Sequence, residues 1–389
     1  MSLEYCYLDY AASAPERSCS LEAGEAYDKS VYAGANPNSL HTLGRMSAQA
    51  LEHAREDIAR TLPHVSPHQL FFTSGGTESN NMSVLGLARA ARARKSGATK
   101  VILSAIEHDS ILDLAPRLRE EGFDVQLLRP NRSGVITQDA LGALIDSKTC
   151  LVSIMYANNE TGIIQPIPEL AHCAHQSGAC FHSDCVQAYG RIPLDLREVD
   201  AISIAAHKIG GPVGIGACVL KQPKLFRPLM QGGGQEMGVR PGTQSVRLSM
   251  QFAAAAVVCA SALEENLACV RARASALQQR LCACEGVVPT SDIPFDARRL
   301  PGIVSILARG RDAQSLLLQL DAKGFCISSG SACTVSDPHA SHVLTAQGIE
   351  GQDALSSLRI SFDERVSEDA LQRFSSAFSE VLSNKAATF

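Results

Sequence analysis

The chain has 389 residues, 45% of them hydrophobic, which exceeds one ordinary domain and supplies enough apolar side chain for one large and one smaller unit. A formal net charge of −5 and a pI near 6.1 give no global attraction to nucleic acid or to an anionic membrane, so no direct nucleic-acid partner is indicated. No apolar run is long enough to span a bilayer, and Met1-Ser2-Leu3-Glu4-Tyr5 holds no basic segment followed by an apolar one, so no membrane and a cytoplasmic location are expected. Thirteen cysteines is an odd count in a large chain without a CxxC pair, and Cys150 and Cys218 lie in apolar runs, so reduced, mostly buried thiols are expected.

Between residues 70 and 220, short β-rich runs alternate with segments of helical period. The predicted strands are Leu70-Phe71-Phe72, Val101-Ile102-Leu103, Val125 to Leu128, Leu151 to Met155, Cys180-Phe181-His182, Ala201 to Ile204 and Ala217 to Leu220. Asn81 to Arg94 and Ile111 to Glu121 repeat apolar residues every three and four positions, as helices do. Arg89, Arg92, Arg94 and Lys95 read as the solvated last turn of the first of these helices, where cations suit the helix dipole. That rhythm predicts an α/β fold with a mainly parallel sheet, in which ligands bind beyond the carboxyl ends of the strands. An alanine-rich helical stretch, Ser249 to Leu281, follows. Gly302 to Leu307, Ala313 to Lys323, Phe325-Cys326-Ile327, Leu358 to Phe362 and Glu368 to Leu382 then spell a small α+β unit. The expected division is 16–254 for the large domain and 1–15 with 255–389 for the small one.

Polar clusters fall at the strand ends. Phe72-Thr73-Ser74-Gly75-Gly76-Thr77-Glu78-Ser79-Asn80 ends a strand and opens a helix, an arrangement of glycines, hydroxyls and free amides suited to a phosphate, although an ordinary capped glycine turn has the same composition. It is not a Walker loop, because no lysine follows the glycines. Glu107-His108 offers a ring that can stack on a planar cofactor and carry a proton. Asn158-Asn159-Glu160-Thr161-Gly162 ends the next strand, and His182-Ser183-Asp184-Cys185-Val186-Gln187 brings a carboxylate. His207-Lys208 precedes a glycine turn, where a lysine with small neighbours suits a Schiff base to pyridoxal phosphate, and Asp184 is the acid that would keep a pyridine nitrogen protonated. Singly, each is a surface histidine, a turn, a helix cap or a solvated lysine. Their occurrence at successive strand ends is what carries the reading.

With these residues in place the chain resembles a cysteine desulfurase of the NifS/IscS type, in the class V aminotransferase group of fold-type I enzymes. The resemblance runs nearly end to end, through Tyr7-Leu8-Asp9-Tyr10-Ala11-Ala12, Asn36-Pro37-Asn38-Ser39, the Thr73 to Asn80 turn and the strand-end clusters. It continues through Gly232-Gly233-Gly234-Gln235-Glu236, Arg240-Pro241-Gly242-Thr243, Ser328 to Thr334 and Arg359. It implies the pyridoxal 5'-phosphate transferase fold type I, with a mainly parallel central sheet plus a small α+β C-terminal domain. It implies that Lys208 carries the cofactor, with His108 on the ring, Asp184 at its nitrogen, Gln187 at its phenolic oxygen and Asn159 nearby. Gly76, Thr77 and His207 match phosphate contacts, Thr243 reaches the partner subunit's cofactor in a homodimer, and Asn38 and Arg359 grip the substrate carboxylate. Cys333, among small residues, matches the thiol that accepts sulfur from L-cysteine as a persulfide, while Cys326 reads as core.

The resemblance further implies an onward sulfur-acceptor protein, of iron–sulfur cluster assembly or tRNA thiolation. A selenocysteine lyase or a small-amino-acid transaminase, in which Cys333 would be dispensable, stays open, as does a weakened sulfur-relay protein. Metal binding by Cys333, His339 and His342 is disfavoured, since structural zinc asks for four clustered ligands. Two departures matter. Ala205 stands where relatives carry a phosphate-binding serine, and Asp363-Glu364 places two acids close in sequence to Arg359, where they would weaken binding of an anionic substrate if they faced the pocket.

Overall fold

The computed structural model describes residues 5–95, 97–296, 298–330 and 341–383. Each predicted strand between residues 70 and 220 forms, and they assemble into one seven-stranded sheet. From edge to edge its order is Leu70–Thr73, Gly216–Leu220, Ala201–Ala205, Cys180–Asp184, Thr149–Ser153, Lys100–Ser104 and Asp124–Leu128. Only Gly216–Leu220 runs against its neighbours, through antiparallel pairs with Leu70–Thr73 and Ala201–Ala205. The remaining pairs are parallel. Four of the seven strands are buried along their whole length, which explains why they read as continuous apolar runs rather than alternating ones. His182 lies inside this sheet between Ser153 Oγ (2.8 Å) and Ser203 Oγ (3.1 Å). Burial depresses its pKa to about 3, so it bonds as a neutral ring.

The register puts Thr73 opposite Gly216 and Gly216 opposite Ala205. The ends of Leu70–Thr73, Cys180–Asp184 and Ala201–Ala205 therefore lie on one edge of the sheet, where Gly76, His108, Asp184 and Lys208 follow. The helix Gly76–Arg94 starts at that edge. A Cβ on Gly76 would lie 2.9 Å from Val186 Cγ2, so only glycine lets the helix start this close to the neighbouring strand end. At its other end Arg89 pairs with Glu121 (2.9 Å) and Arg92 stacks over Phe123, so the basic cluster is partly tied down rather than simply solvated.

A second, four-stranded antiparallel sheet has the order Ser328–Ser329, Ser357–Ser361, Ile303–Ala308, Val287–Pro289. Its own apolar cluster joins Leu8, Tyr10 and Ala14 to Val270, Ile306, Leu358 and Phe374. The N-terminal segment is thus fastened to the far end of the chain, with Cys6–Tyr7 pairing with Phe325–Cys326.

Three sequence expectations change. The helical stretch expected over Ser249 to Leu281 is two helices, Val246–Ser261 and Leu263–Cys282, bent by 74°. Ala262 leaves helical geometry between them, letting the first pack on Ser18–Asp28 and Thr42–Arg60 and the second on the four-stranded sheet. Cys326 is only half-buried at the end of its strand, with its thiol 3.8 Å from Asp321 Oδ1, while Phe325 takes the core position. Among the twelve described cysteines, all free, five are buried and seven are partly exposed. No single described helix is long and apolar enough to cross a membrane.

Candidate active site

One cavity of about 460 Å³ opens at the carboxyl edge of the sheet. Gly76, Thr77, His108, Asn159, Asp184, Gln187, His207, Lys208 and Arg359 all line it. Residues that span most of the sequence are therefore collected by strand ends and by one strand of the second sheet.

Lys208 ends the short 3-10 turn Ala206–Lys208, directly after the strand Ala201–Ala205. Its Nζ donates to the carbonyls of Ala11 and Ala12, both at 2.7 Å. Gln187 Nε2 donates to the same Ala11 carbonyl at 2.9 Å, and its Oε1 accepts from Arg191 at 3.0 Å, so the orientation of the amide is set. Arg191 also donates to the Lys208 carbonyl at 2.9 Å, tying the lysine turn to Gln187. His207 Nδ1 lies 3.2 Å from Ser13 Oγ; burial, then Lys208 and Arg191, lower its pKa to about 4, so it meets the cavity as a neutral ring.

Asp184 is buried, and burial raises its pKa against the bonds that favour its anion. Those bonds come from neutral donors, the Val186 amide at 2.8 Å and Asn80 Nδ2 at 2.6 Å. A cation placed in the cavity would complete this carboxylate. Behind it Glu107 is fully buried, and burial followed by the charge of Asp184 pushes its pKa well up. Its Oε1 accepts from the Met155 amide at 2.6 Å.

Arg359 lies in the middle of Ser357–Ser361 and is buried. Nη2 pairs with Asp9 at 2.8 Å, Nη1 donates to the Asn159 carbonyl at 3.1 Å, and the buried Nε has no hydrogen-bond partner among the described residues. The guanidinium is thus fixed with donor capacity left for an anion. The two acids that raised concern do not face it: Asp363 pairs with Arg365 at 2.6 Å, and Glu364 pairs with Arg17 at 2.7 Å, outside the cavity. The carboxylate beside Arg359 is Asp9 instead.

Asn38 departs from expectation. It is exposed and does not line the cavity; its Nδ2 donates to Asn36 and to Gln244, each at 3.1 Å, because Gln244 holds the loop that also carries Thr243. Thr243, likewise exposed, stands next to Gln244 and outside the chain's own cavity. Cys333 and His339 lie outside the described residues. His342, weighed above as a metal ligand, instead directs Nε2 to the Glu107 carbonyl at 2.8 Å on the cavity wall. Sequence reasoning gave no role to Asn80, Ser110, Glu160 or Ser341, which also line the cavity. Asn80 had a usable signal, since it lies one helical turn after Gly76 and so shares its face.

The family model for aminotransferase class-V matches residues 6–374. The chain belongs to the class-V aminotransferase family, in its cysteine desulfurase group. It is 39% identical over 365 residues to an IscS-like cysteine desulfurase of Mycobacterium tuberculosis, covering 91% of this chain and 90% of that protein. It is 34% identical to the cysteine desulfurase NifS of Azotobacter vinelandii, covering 87% and 83%. The fold superposes on the X-ray structure of a NifS-like protein from Rickettsia africae with a TM-score of 0.85 at 30% identity, covering 97% of this chain and 99% of the other.

This family uses pyridoxal 5'-phosphate, and the cavity fits it. The first-turn amides of a 19-residue helix face the cavity beside Gly76 and Thr77, where a phosphate is stabilised. The buried Asp184, whose described hydrogen bonds come from the neutral Val186 amide and Asn80, suits a protonated ring nitrogen. Ala205 alone departs, because it lines the cavity with a methyl group where a hydroxyl would donate.

Proposed function

We infer that this chain is a pyridoxal phosphate-dependent cysteine desulfurase, converting L-cysteine to L-alanine and placing the sulfur on Cys333. The observation that carries this is the convergence of Lys208, Asp184, His108, Gln187 and Arg359 on one cavity. Asp184 would pair with the ring nitrogen, His108 cover the ring, Gln187 reach the phenolic oxygen and Asn159 stand beside the ring. Gly76, Thr77 and His207 would hold the phosphate, and Lys208 would form the covalent link. When bound, the cofactor supplies an electron sink for charge developing at the substrate α-carbon.

The chain's own groups do the rest. Arg359, braced by Asp9, binds the substrate carboxylate through its remaining donors and turns the α-hydrogen toward the lysine. Lys208, as a neutral amine, takes the α-proton at Nζ; the Ala11 and Ala12 carbonyls stabilise the resulting ammonium. The Cys333 thiolate attacks the substrate sulfur, so an S–S bond forms as the carbon–sulfur bond breaks, and its electron pair stays with the carbon skeleton until protonation releases alanine. His108 is the group we assign to that proton traffic.

The placement of Asn38 and Thr243 on one exposed loop cluster joined by Gln244 supports a homodimer in which both serve the partner's cavity rather than their own. A separate apolar cluster joining Leu8, Tyr10 and Ala14 to Val270, Ile306, Leu358 and Phe374 supports grouping 1–15 with 255–389, apart from 16–254. The free thiols support a reducing, cytoplasmic setting, and the acceptor is read as a protein of iron–sulfur assembly or tRNA thiolation. The test is release of alanine and sulfide from L-cysteine with a thiol reductant, comparing cofactor-loaded wild type with Cys333→Ala. Sulfide release that disappears in the variant while cofactor absorbance persists is expected. Equal activity in both would remove Cys333 and favour a lyase.

A further inference from the structure

Four side chains on the wall of the cavity form one line of hydrogen bonds. His108 Nδ1 lies 2.9 Å from Ser110 Oγ and accepts from the Ser110 backbone N–H at 3.1 Å. Asn80 Nδ2 donates to Ser110 Oγ at 2.9 Å and to Asp184 Oδ2 at 2.6 Å. The directions of these bonds are not interchangeable. A backbone N–H can only donate, so Nδ1 of His108 bears no proton while that contact exists. A flipped Asn80 would turn its carbonyl onto the Asp184 carboxylate, so Nδ2 is the atom that faces both Asp184 and Ser110. With Asn80 donating to Ser110 Oγ, the hydroxyl hydrogen is directed to His108 Nδ1.

We propose that Ser110 is a positioning residue for His108: it holds the proton of the neutral ring on Nε2 and, through Asn80, couples the ring to the Asp184 carboxylate. The proposal deepens the reading of His108 as the proton carrier and rests on it. Bonds donated to Nδ1 favour the neutral ring, so Ser110 opposes the carboxylates that favour the imidazolium. Among the described residues, the charged and titratable groups that share the cavity with His108 are Asp184, Lys208 and His207 from the first sheet's strand ends, Asp109, Glu160, His342 and Arg359, with Glu107 flanking it in the chain. Replacing Ser110 leaves all of them in place. Ser110 is itself buried, which makes its two side-chain contacts hard for water to replace.

The experiment is nitrogen-15 NMR of histidine-labelled holoenzyme, with the His108 signals assigned by their absence in His108→Gln. Wild type should show the Nε2–H tautomer, a result read without disturbing the wall. Ser110→Ala should raise the His108 pKa by roughly half to one pH unit, with the acid limb of kcat/KM moving in parallel. Ser110→Thr, which keeps the hydroxyl, should restore both. An Nδ1–H tautomer in the wild type, or an unmoved pKa in a folded Ser110→Ala, overturns the proposal. Full activity in His108→Gln would instead sink the assignment of His108 to the reaction, and the tautomer and pKa would still decide the role of Ser110.

Discussion

Ala205→Ser should tighten cofactor binding. Ala205 ends its strand, is 1% exposed and lines the cavity, and its Cβ lies 3.8 Å from the point where a Cβ on Gly76 would project. A hydroxyl there stands beside the first-turn amides assigned to the phosphate. A hydrogen bond to a charged acceptor contributes about 1.5 to 3 kcal/mol, a roughly 10- to 150-fold lower Kd. In the cofactor-free protein the same hydroxyl gains no such partner, and burying it costs about 1 to 3 kcal/mol, so Tm of that form should fall slightly. The assay is titration of cofactor-free protein with pyridoxal phosphate, followed by cofactor absorbance, alongside Ala205→Val, which adds bulk without a donor and should weaken binding. An unchanged or weaker Kd in a folded Ala205→Ser protein would refute placement of the phosphate between Ala205 and the Gly76–Thr77 amides.

Two further outcomes follow from charges away from the cavity. Arg55 grips the buried Glu236 through both Nη atoms at 2.7 Å, so Arg55→Met leaves that carboxylate unpaired and should cost about 3 to 5 kcal/mol in denaturant unfolding; a loss under 1 kcal/mol would contradict it. His175 lies between Asp200 (2.8 Å) and Glu198 (3.1 Å), and the bond to Asp200, ahead of the other influences, raises its pKa above the usual value near 6.5. A histidine raised on folding adds stability below its unfolded pKa and loses it as pH rises through the folded one. The Tm difference between wild type and His175→Gln should therefore shrink from about pH 6.5 upward, as read by thermal melts across that window, and a pH-independent difference would show the ion pairs to be inert.

The strands were legible because most are buried on both faces, so local composition alone marks them, and the strand-end residues followed from the rule that parallel sheets bind ligands there. Asn38 lies outside the chain's own cavity, which sequence order could not show, because its position depends on Gln244, about two hundred residues away, and on the buried Glu236 that Gln244 also contacts. Asp363 and Glu364 misled for the opposite reason. They are near Arg359 in sequence, yet the strand ends between them and the turn delivers both acids to Arg17 and Arg365. Asp9, whose carboxylate does meet Arg359, is 350 residues distant and arrives because the N-terminal segment lies along the second sheet. Three of the groups to which sequence reasoning gave no role share a property. Asn80, Ser110 and Asp9 act by orienting another side chain, and such a role exists only as a pairwise direction between donor and acceptor. Residue type and spacing can nominate Lys208 or Asp184, whose chemistry belongs to the residue itself. They cannot nominate Ser110, whose contribution is the angle from which it meets His108.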